Sequence, residues 1–305
     1  VDLAARLNEL APGNFAKMTM FANSGAEAVE NAVKVARYAS KRPAIICFEN
    51  AFHGRTLMGM TLTSKVKPYK FGFGPLAPEV YRMPFAYCYR CPFGLRYPAC
   101  ETACADYLEE FFVNHVAAEQ TAAVIAEPIQ GEGGFITPPP EYFPKLKAIC
   151  EKYGIALVVD EVQSGAGRTG TYFAIDHWNV VPDVITMAKS FAGGMPLSAV
   201  IGRAEMMNAA HVGGLGGTYS GNPISCRAAL ARLTAAEAKV LILDEPTNHL
   251  DLWARDALEH ALAEFEGTVL FVSHDRYLIN QVADHLLVVE GRSFRVIEGD
   301  YETYR

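Results

Sequence analysis

Between Leu157 and Lys189 the chain carries two apolar runs of strand length, and each ends on charged groups. Leu157-Val158-Val159 leads into Asp160-Glu161-Val162-Gln163, and Val184-Ile185-Thr186-Met187-Ala188 leads into Lys189. Short β-rich runs without polar alternation are the pattern of strands buried on both faces, as in a parallel sheet. Such a sheet is covered by helices on both sides, which restricts the fold to the α/β class. Ligands of open α/β sheets bind outside the carboxyl ends of the strands. Asp160 and Lys189 are therefore both delivered to the rim where chemistry takes place. From these two residues alone, a helix-capping aspartate and a solvated surface lysine are the plainer alternatives.

The length of 305 residues allows one large or two medium domains. Half of the residues are apolar and 20% are charged, which suits a globular core. No apolar run reaches the roughly 18 residues of a membrane span. The formal charge of -7 argues against a general nucleic-acid-binding surface. The chain opens at Val1 with no visible signal peptide, a start that suits a fragment or a processed chain. Its seven cysteines are expected to be mostly reduced, in a cytoplasmic protein.

In chain order, Ser24 followed by Glu27 forms a capping box before a helix with Val29, Ala32, Val33 and Ala36 at core spacing. Gly25 at that helix start can free backbone N–H groups for a phosphate, although an ordinary cap has the same spelling. Ala44-Ile45-Ile46-Cys47-Phe48 reads as a strand leading into Phe52-His53-Gly54-Arg55-Thr56. Phe52 can stack on a flat ring and Arg55 can bind a carboxylate, or the two are a core aromatic and a solvated cation. Cys88, Cys91, Cys100 and Cys104 fall in a proline-containing loop, as close pairs that can bind zinc or an iron–sulfur cluster, or remain reduced in a packed loop. The strand at Ala123–Glu127 precedes a glycine-rich loop, Pro128 to Gly134, that contains Glu132. A helix from Pro144 to Tyr153 is expected next, and a further strand at Leu197–Ile201.

A lysine amine and an aspartate at one sheet rim match the needs of pyridoxal phosphate. The amine forms a Schiff base with the aldehyde, and the carboxylate keeps the pyridine nitrogen protonated so that the ring accepts electrons. Taken with Ser24-Gly25-Ala26-Glu27, Phe52-His53-Gly54-Arg55-Thr56, Glu127-Pro128-Ile129-Gln130-Gly131-Glu132-Gly133, Asp160-Glu161-Val162-Gln163 and Gly217-Thr218-Tyr219, these residues resemble the class III pyridoxal-phosphate aminotransferases of the 4-aminobutyrate and acetylornithine type over residues 1 to about 230. The resemblance implies a type I aminotransferase large domain over 1–231, truncated at both ends, with a mostly parallel sheet and helices on both faces. It implies Lys189 as the cofactor-bearing lysine and Asp160 as the partner of the ring nitrogen. Ser24, Gly25 and Ala26 would hold the phosphate, Phe52 and Val162 would sandwich the ring, and Gln163 would bond its hydroxyl. His53 and Glu127 belong to the same cofactor set. Thr218 would reach the phosphate of a neighbouring subunit, which implies a homodimer. Arg55 and Glu132 would serve the substrate. The implied activity is amino transfer between an amino acid, which an omega-amino acid would satisfy, and a 2-oxo acid.

After about Ala231 the wording changes. Lys239 to Asp251, with Asp244-Glu245-Pro246-Thr247-Asn248-His249-Leu250-Asp251 at its end, resembles the Walker B motif and D-loop of the F subfamily of ABC ATPases. Val269 to Arg276 resembles the switch-histidine strand of the same family. The resemblance implies a partial ABC ATPase subdomain over 232–305, in which Asp244 serves Mg²⁺, Glu245 orients water and His274 senses the γ-phosphate. No Gly-x-x-x-x-Gly-Lys-Ser/Thr phosphate loop occurs, so ATP and Mg²⁺ binding with turnover is not expected. The chain as a whole is expected to be a chimera of the two families. In the tail, strands are expected at 239–244 and 268–273, helices at about 251–264 and 276–283, and a hairpin at about 285–298.

Overall fold

The structure is a computed structural model, and it describes residues 1–237, 240–248, 252–265, 267–290 and 293–304. The chain divides into two compact units, Val1–Leu230 and Ala231–Arg305.

The first unit is built on a seven-stranded sheet. Its strands are β1 (Lys17–Ala22), β2 (Ala44–Phe48), β3 (Val80–Met83), β4 (Thr121–Ala126), β5 (Ala156–Asp160), β6 (Val184–Met187) and β7 (Ser198–Arg203), in the spatial order β1-β7-β6-β5-β4-β2-β3. The neighbours from β3 across to β6 are parallel, whereas β7 runs antiparallel to both β6 and β1. It follows that β1 points the same way as β2, β3, β4, β5 and β6, so six of these strands end at one rim. Every residue of β2, β4 and β6 is buried, as the unbroken apolar runs require.

Helices α1 (Asp2–Leu10), α2 (Gly25–Ser40), α3 (Leu57–Leu62), α4 (Ala103–Asn114) and α5 (Tyr142–Tyr153) cover the sheet, followed by α6 (Ala204–Met207) and α7 (Pro223–Glu237). The strand period of two sorts the core. Ile45, Cys47, Ile125, Val158, Val184 and Val200 share one cluster with Val29, Ala32, Val33 and Ala36 of α2. Phe48, one residue out of phase with Cys47, instead meets Phe85 and Tyr142 edge-on, with ring centroids 5.3 and 6.5 Å away, so α5 packs on the opposite face. The start of α5 falls two residues ahead of the expected Pro144. Proline is tolerated in the first helical turn, where its missing N–H has no intrahelical partner.

The second unit contains a parallel pair, β8 (Val240–Asp244) with β9 (Thr268–Val272), the helices α8 (Leu252–Ala263) and α9 (Arg276–Val282), and an antiparallel hairpin of β10 (His285–Glu290) with β11 (Ser293–Glu298); Tyr301–Tyr304 forms a last short turn of helix. These elements stand where the apolar runs put them. Lys239, His249, Leu250 and Asp251 of the expected Walker B and D-loop wording lie outside the described residues. No described helix is long and apolar enough to cross a membrane.

Candidate active site

The rim formed by the ends of β1, β2, β4, β5 and β6 opens into a cavity of about 450 Å³. These strand ends contribute to it: Ser24, Gly25 and Ala26 after β1, Phe52 and His53 after β2, Glu127 after β4, Asp160, Val162 and Gln163 at β5, and Lys189 after β6. Asp160 and Lys189, 29 positions apart in the chain, therefore share one cavity.

The helix α2 starts at this cavity because its cap is fully built. The N–H of Glu27 donates to Ser24 Oγ at 3.3 Å, and the N–H of Ser24 donates back to Glu27 Oε2 at 3.0 Å. Glu27 also takes the N–H of Asn23 at 2.6 Å, which fixes the turn between β1 and α2. The remaining N–H groups of the first turn and the positive end of the helix dipole face the cavity, as an anion requires. A Cβ on Gly25 would lie 2.7 Å from Val162 Cγ1, so the cradle leaves no room for a side chain there.

Asp160 is only 3% exposed. Its Oδ1 accepts from the N–H of Val162 and from Thr186 Oγ1, both at 3.0 Å, and its Oδ2 lies 2.7 Å from His53 Nδ1. Thr186 stands opposite Asp160 in the β5–β6 register, which explains a hydroxyl in an otherwise apolar strand. His53 Nε2 is buried with no partner among the described residues. Glu127, also buried, accepts from the N–H of Phe52 at 2.8 Å and of Gly131 at 3.3 Å, and so ties together the loops after β2 and β4. Burial, with the nearby Asp160 charge adding to it, pushes the Glu127 carboxyl up to about 7.

Lys189 has φ of 53°, the left-handed region that a side chain adopts only when its surroundings impose it. Its Nζ donates to Gln163 Oε1 at 2.9 Å, so the glutamine expected near a ring hydroxyl meets the lysine itself. Phe52 meets Tyr69 edge-on at 4.9 Å.

Other expected site residues lie elsewhere. Glu132 lines a second cavity of about 480 Å³, which shares Gln163 and Lys189 with the first. Arg55 lines neither cavity; its guanidinium lies over the Tyr69 ring, 4.8 Å from the centroid. Thr218 is exposed and also lines neither. The metal expectation is corrected: among the described residues no group of three or more His, Cys, Asp or Glu side chains is arranged to hold an ion. Cys88, Cys91, Cys100 and Cys104 do border one small cavity of about 20 Å³, where burial pushes the Cys104 thiol up to about 11 and raises Cys88 too. Asp244, Glu245 and His274 belong to the second unit, where His274 Nε2 lies 3.5 Å from Glu245 Oε1.

Pyridoxal phosphate fits the first cavity on these observations. An amine, a carboxylate fixed by three partners, a helix N-terminus closed to side chains and an aromatic ring are the donor set that the cofactor uses. The family model of class III aminotransferases matches residues 1–267. The chain belongs to that family. As a class III aminotransferase it resembles the probable 4-aminobutyrate aminotransferase of Bacillus subtilis, with 53% identity over 241 residues, 79% of this chain and 55% of that protein. The 4-aminobutyrate aminotransferase GabT of Escherichia coli is 46% identical over 258 residues, 85% of this chain and 58% of that protein. The 5-aminovalerate aminotransferase DavT of Pseudomonas putida is 47% identical over 242 residues, 79% and 55% of the two chains. Among solved structures, an (S)-enantioselective omega-transaminase from Thermomicrobium roseum superposes with a TM-score of 0.72 at 37% identity, covering 77% of this chain and 55% of that one. The class III chain thus spans somewhat over half the length of the curated relatives it matches. The family match also runs past the expected junction at Ala231, through the Asp244-Glu245 strand, to residue 267.

Proposed function

We propose that this chain transfers an amino group from an omega-amino acid to a 2-oxo acid by means of pyridoxal phosphate. The observation that carries this reading is the meeting of Lys189 and Asp160 in one cavity at the N-terminus of α2. When bound, the cofactor supplies an aldehyde for the amino group and a ring that accepts electrons. Lys189 Nζ would hold the aldehyde and move the proton at the reacting carbon. Asp160, kept in place by His53, Thr186 and the Val162 N–H, would keep the pyridine nitrogen protonated. Gly25 and Ala26 would offer N–H groups to the phosphate, and Phe52 and Val162 would flank the ring. Arg55 would receive a substrate carboxylate, and Glu132 would answer to it from the second cavity. Relatives named for 4-aminobutyrate and 5-aminovalerate support an omega-amino donor. Incubation of the purified chain with pyridoxal phosphate, 4-aminobutyrate and 2-oxoglutarate should yield glutamate, and a Lys189→Ala variant should yield none. Equal glutamate from both proteins would refute the reading.

A homodimer belongs to the same proposal. Thr218 is exposed and lies outside the chain's own cavity, which suits a residue that serves a neighbour's phosphate. Sedimentation of the cofactor-loaded chain should give twice the monomer mass; a monomer alone would count against it. The seven unpaired cysteines support a cytoplasmic setting. For residues 232–305 we propose an ATPase-like origin, and the observation that favours it is the contact of Glu245 with His274, two residues that the ATPase resemblance assigns to one phosphate. ATP turnover by this chain is expected to be nil, and turnover that Glu245→Gln abolishes would contradict that.

A further inference from the structure

The loop from Cys88 to Cys104 carries a sequence motif that amino-transfer chemistry leaves unused. Its four thiols, Cys88, Cys91, Cys100 and Cys104, are unpaired, and all of them border one cavity of about 20 Å³, room for roughly one water molecule. None of them lines the cavity that holds Lys189 and Asp160.

The chain folds back on itself to bring these thiols together. Cys88 opens a short turn that Cys91 ends, and Cys104 lies in the first turn of α4. Between Cys100 and Cys104, Glu101 and Thr102 have φ of 47° and 56°, a left-handed pair that the surroundings must hold. Lys145 of α5 holds it, with Nζ donating to the Glu101 carbonyl at 2.7 Å and to Asp106 Oδ2 at 2.8 Å. The Tyr97 hydroxyl donates to Glu141 Oε2 at 3.1 Å, which ties the loop to the start of α5 a second time. Cys88 is exposed, whereas Cys91, Cys100 and Cys104 are half-buried. Burial raises the Cys88 thiol, and the next cause is the charge of a thiolate at Cys100, ahead of Cys91 only three residues away. Burial raises Cys104 as well, and there too Cys100 is the next cause. Charge effects weaken with distance, so Cys100 stands at the centre of the cluster and faces Cys88 across the loop.

We propose that this loop is a site of reversible thiol oxidation, at which a hydroperoxide joins Cys88 to Cys100 as a disulfide. Cys88 is the thiol that the oxidant reaches first. Its thiolate sulfur attacks one oxygen of hydrogen peroxide, the O–O bond breaks, and the other oxygen leaves as hydroxide; Cys88 is now a sulfenic acid. The Cys100 thiolate then attacks the Cys88 sulfur, the S–S bond forms, the S–O bond breaks, and a second hydroxide leaves. The two hydroxides take up the two thiol protons, so two thiols are oxidised and one peroxide is reduced to two waters. A sulfur–sulfur bond is about 2.05 Å long, and a gap of one water is a short distance for an exposed loop to close. Two small thiols reverse the step by exchange and leave as their own disulfide. Such transient disulfides are the kind that a reducing compartment permits.

The test is peptide mass mapping of the purified chain after hydrogen peroxide treatment, with the remaining thiols alkylated and no reductant added. Two of the seven thiols should escape alkylation, one linked peptide should join Cys88 to Cys100, and dithiothreitol should restore all seven. Cys88→Ser and Cys100→Ser should each abolish the link, whereas Cys226→Ser, outside the loop, should leave it unchanged. The rate of linkage should keep climbing with pH past the ordinary thiol range, because the raised Cys88 thiol yields its thiolate late. The map of the unaltered chain stands even where a serine variant fails to fold. Seven alkylatable thiols after peroxide, a link confined to Cys88–Cys91 or Cys100–Cys104, or oxidation that dithiothreitol does not reverse overturns the proposal.

Discussion

Gly25 shows how narrowly the cofactor cavity is specified. The Cβ of an alanine there would press on Val162 Cγ1 at 2.7 Å, and valine has little freedom at χ1 to withdraw. Gly25→Ala should therefore lower affinity for pyridoxal phosphate by about tenfold, the loss of one good N–H bond to an anion, with an unchanged far-ultraviolet spectrum. Titration of the variant with the cofactor checks this, and unaltered affinity would remove Gly25 from the phosphate site. Glu161 and Glu127 make a second residue-scale prediction. Burial raises both carboxyls from the ordinary value of 4.5 to about 7, so between those values the folded chain holds protons that the unfolded chain has released. Stability therefore falls as pH rises through that window. Glu161→Gln should flatten the fall in the unfolding midpoint, and an unchanged slope would show that Glu161 is not its source. His53 illustrates what the sequence conceals. Its motif marked it as a cofactor residue, but its bond to Asp160 joins positions 107 apart, and only the sheet order brings them together.

Among the elements, α2 was the most legible, since Ser24 and Glu27 announce its start and its apolar positions announce its buried face. Ser24→Ala removes the side-chain acceptor for the Glu27 N–H and should cost about 1 kcal/mol of stability. Denaturant titration of the variant measures it; a loss no larger than that of an exposed control site would contradict the cap's role. The strands were legible from their apolar runs, but the antiparallel insertion of β7 between β6 and β1 was not. Residue patterns report burial, whereas direction depends on which connections can close across the sheet. The cysteine loop shows the opposite error. Spacing suggested a metal, but Cys88 lies in a short turn and Cys104 in the first turn of α4, and among the described residues no group of three or more ligating side chains is arranged to hold an ion.

At the scale of the molecule, the two units differ in how they treat apolar surface. In the first, β2, β4 and β6 are covered on both faces. In the second, Ile242 of β8 is 76% exposed and Val272 of β9 is 60% exposed, although parallel strands are ordinarily buried. Replacing either by lysine should change stability by no more than about 0.5 kcal/mol and reduce binding of a hydrophobic dye. The change in wording after Ala231 coincides with this change in burial, while the class III family match continues to residue 267. Every strand end that lines the first cavity lies within the first unit, so that unit holds Lys189, Asp160 and the start of α2 at one rim. The direct measurement is the visible absorption spectrum of the purified chain loaded with pyridoxal phosphate, beside that of Lys189→Ala. The unaltered chain should show the band of a lysine-bound cofactor that borohydride fixes covalently to Lys189, and the variant should show neither. A band of equal strength in both proteins, or reduction onto another lysine, would contradict the account.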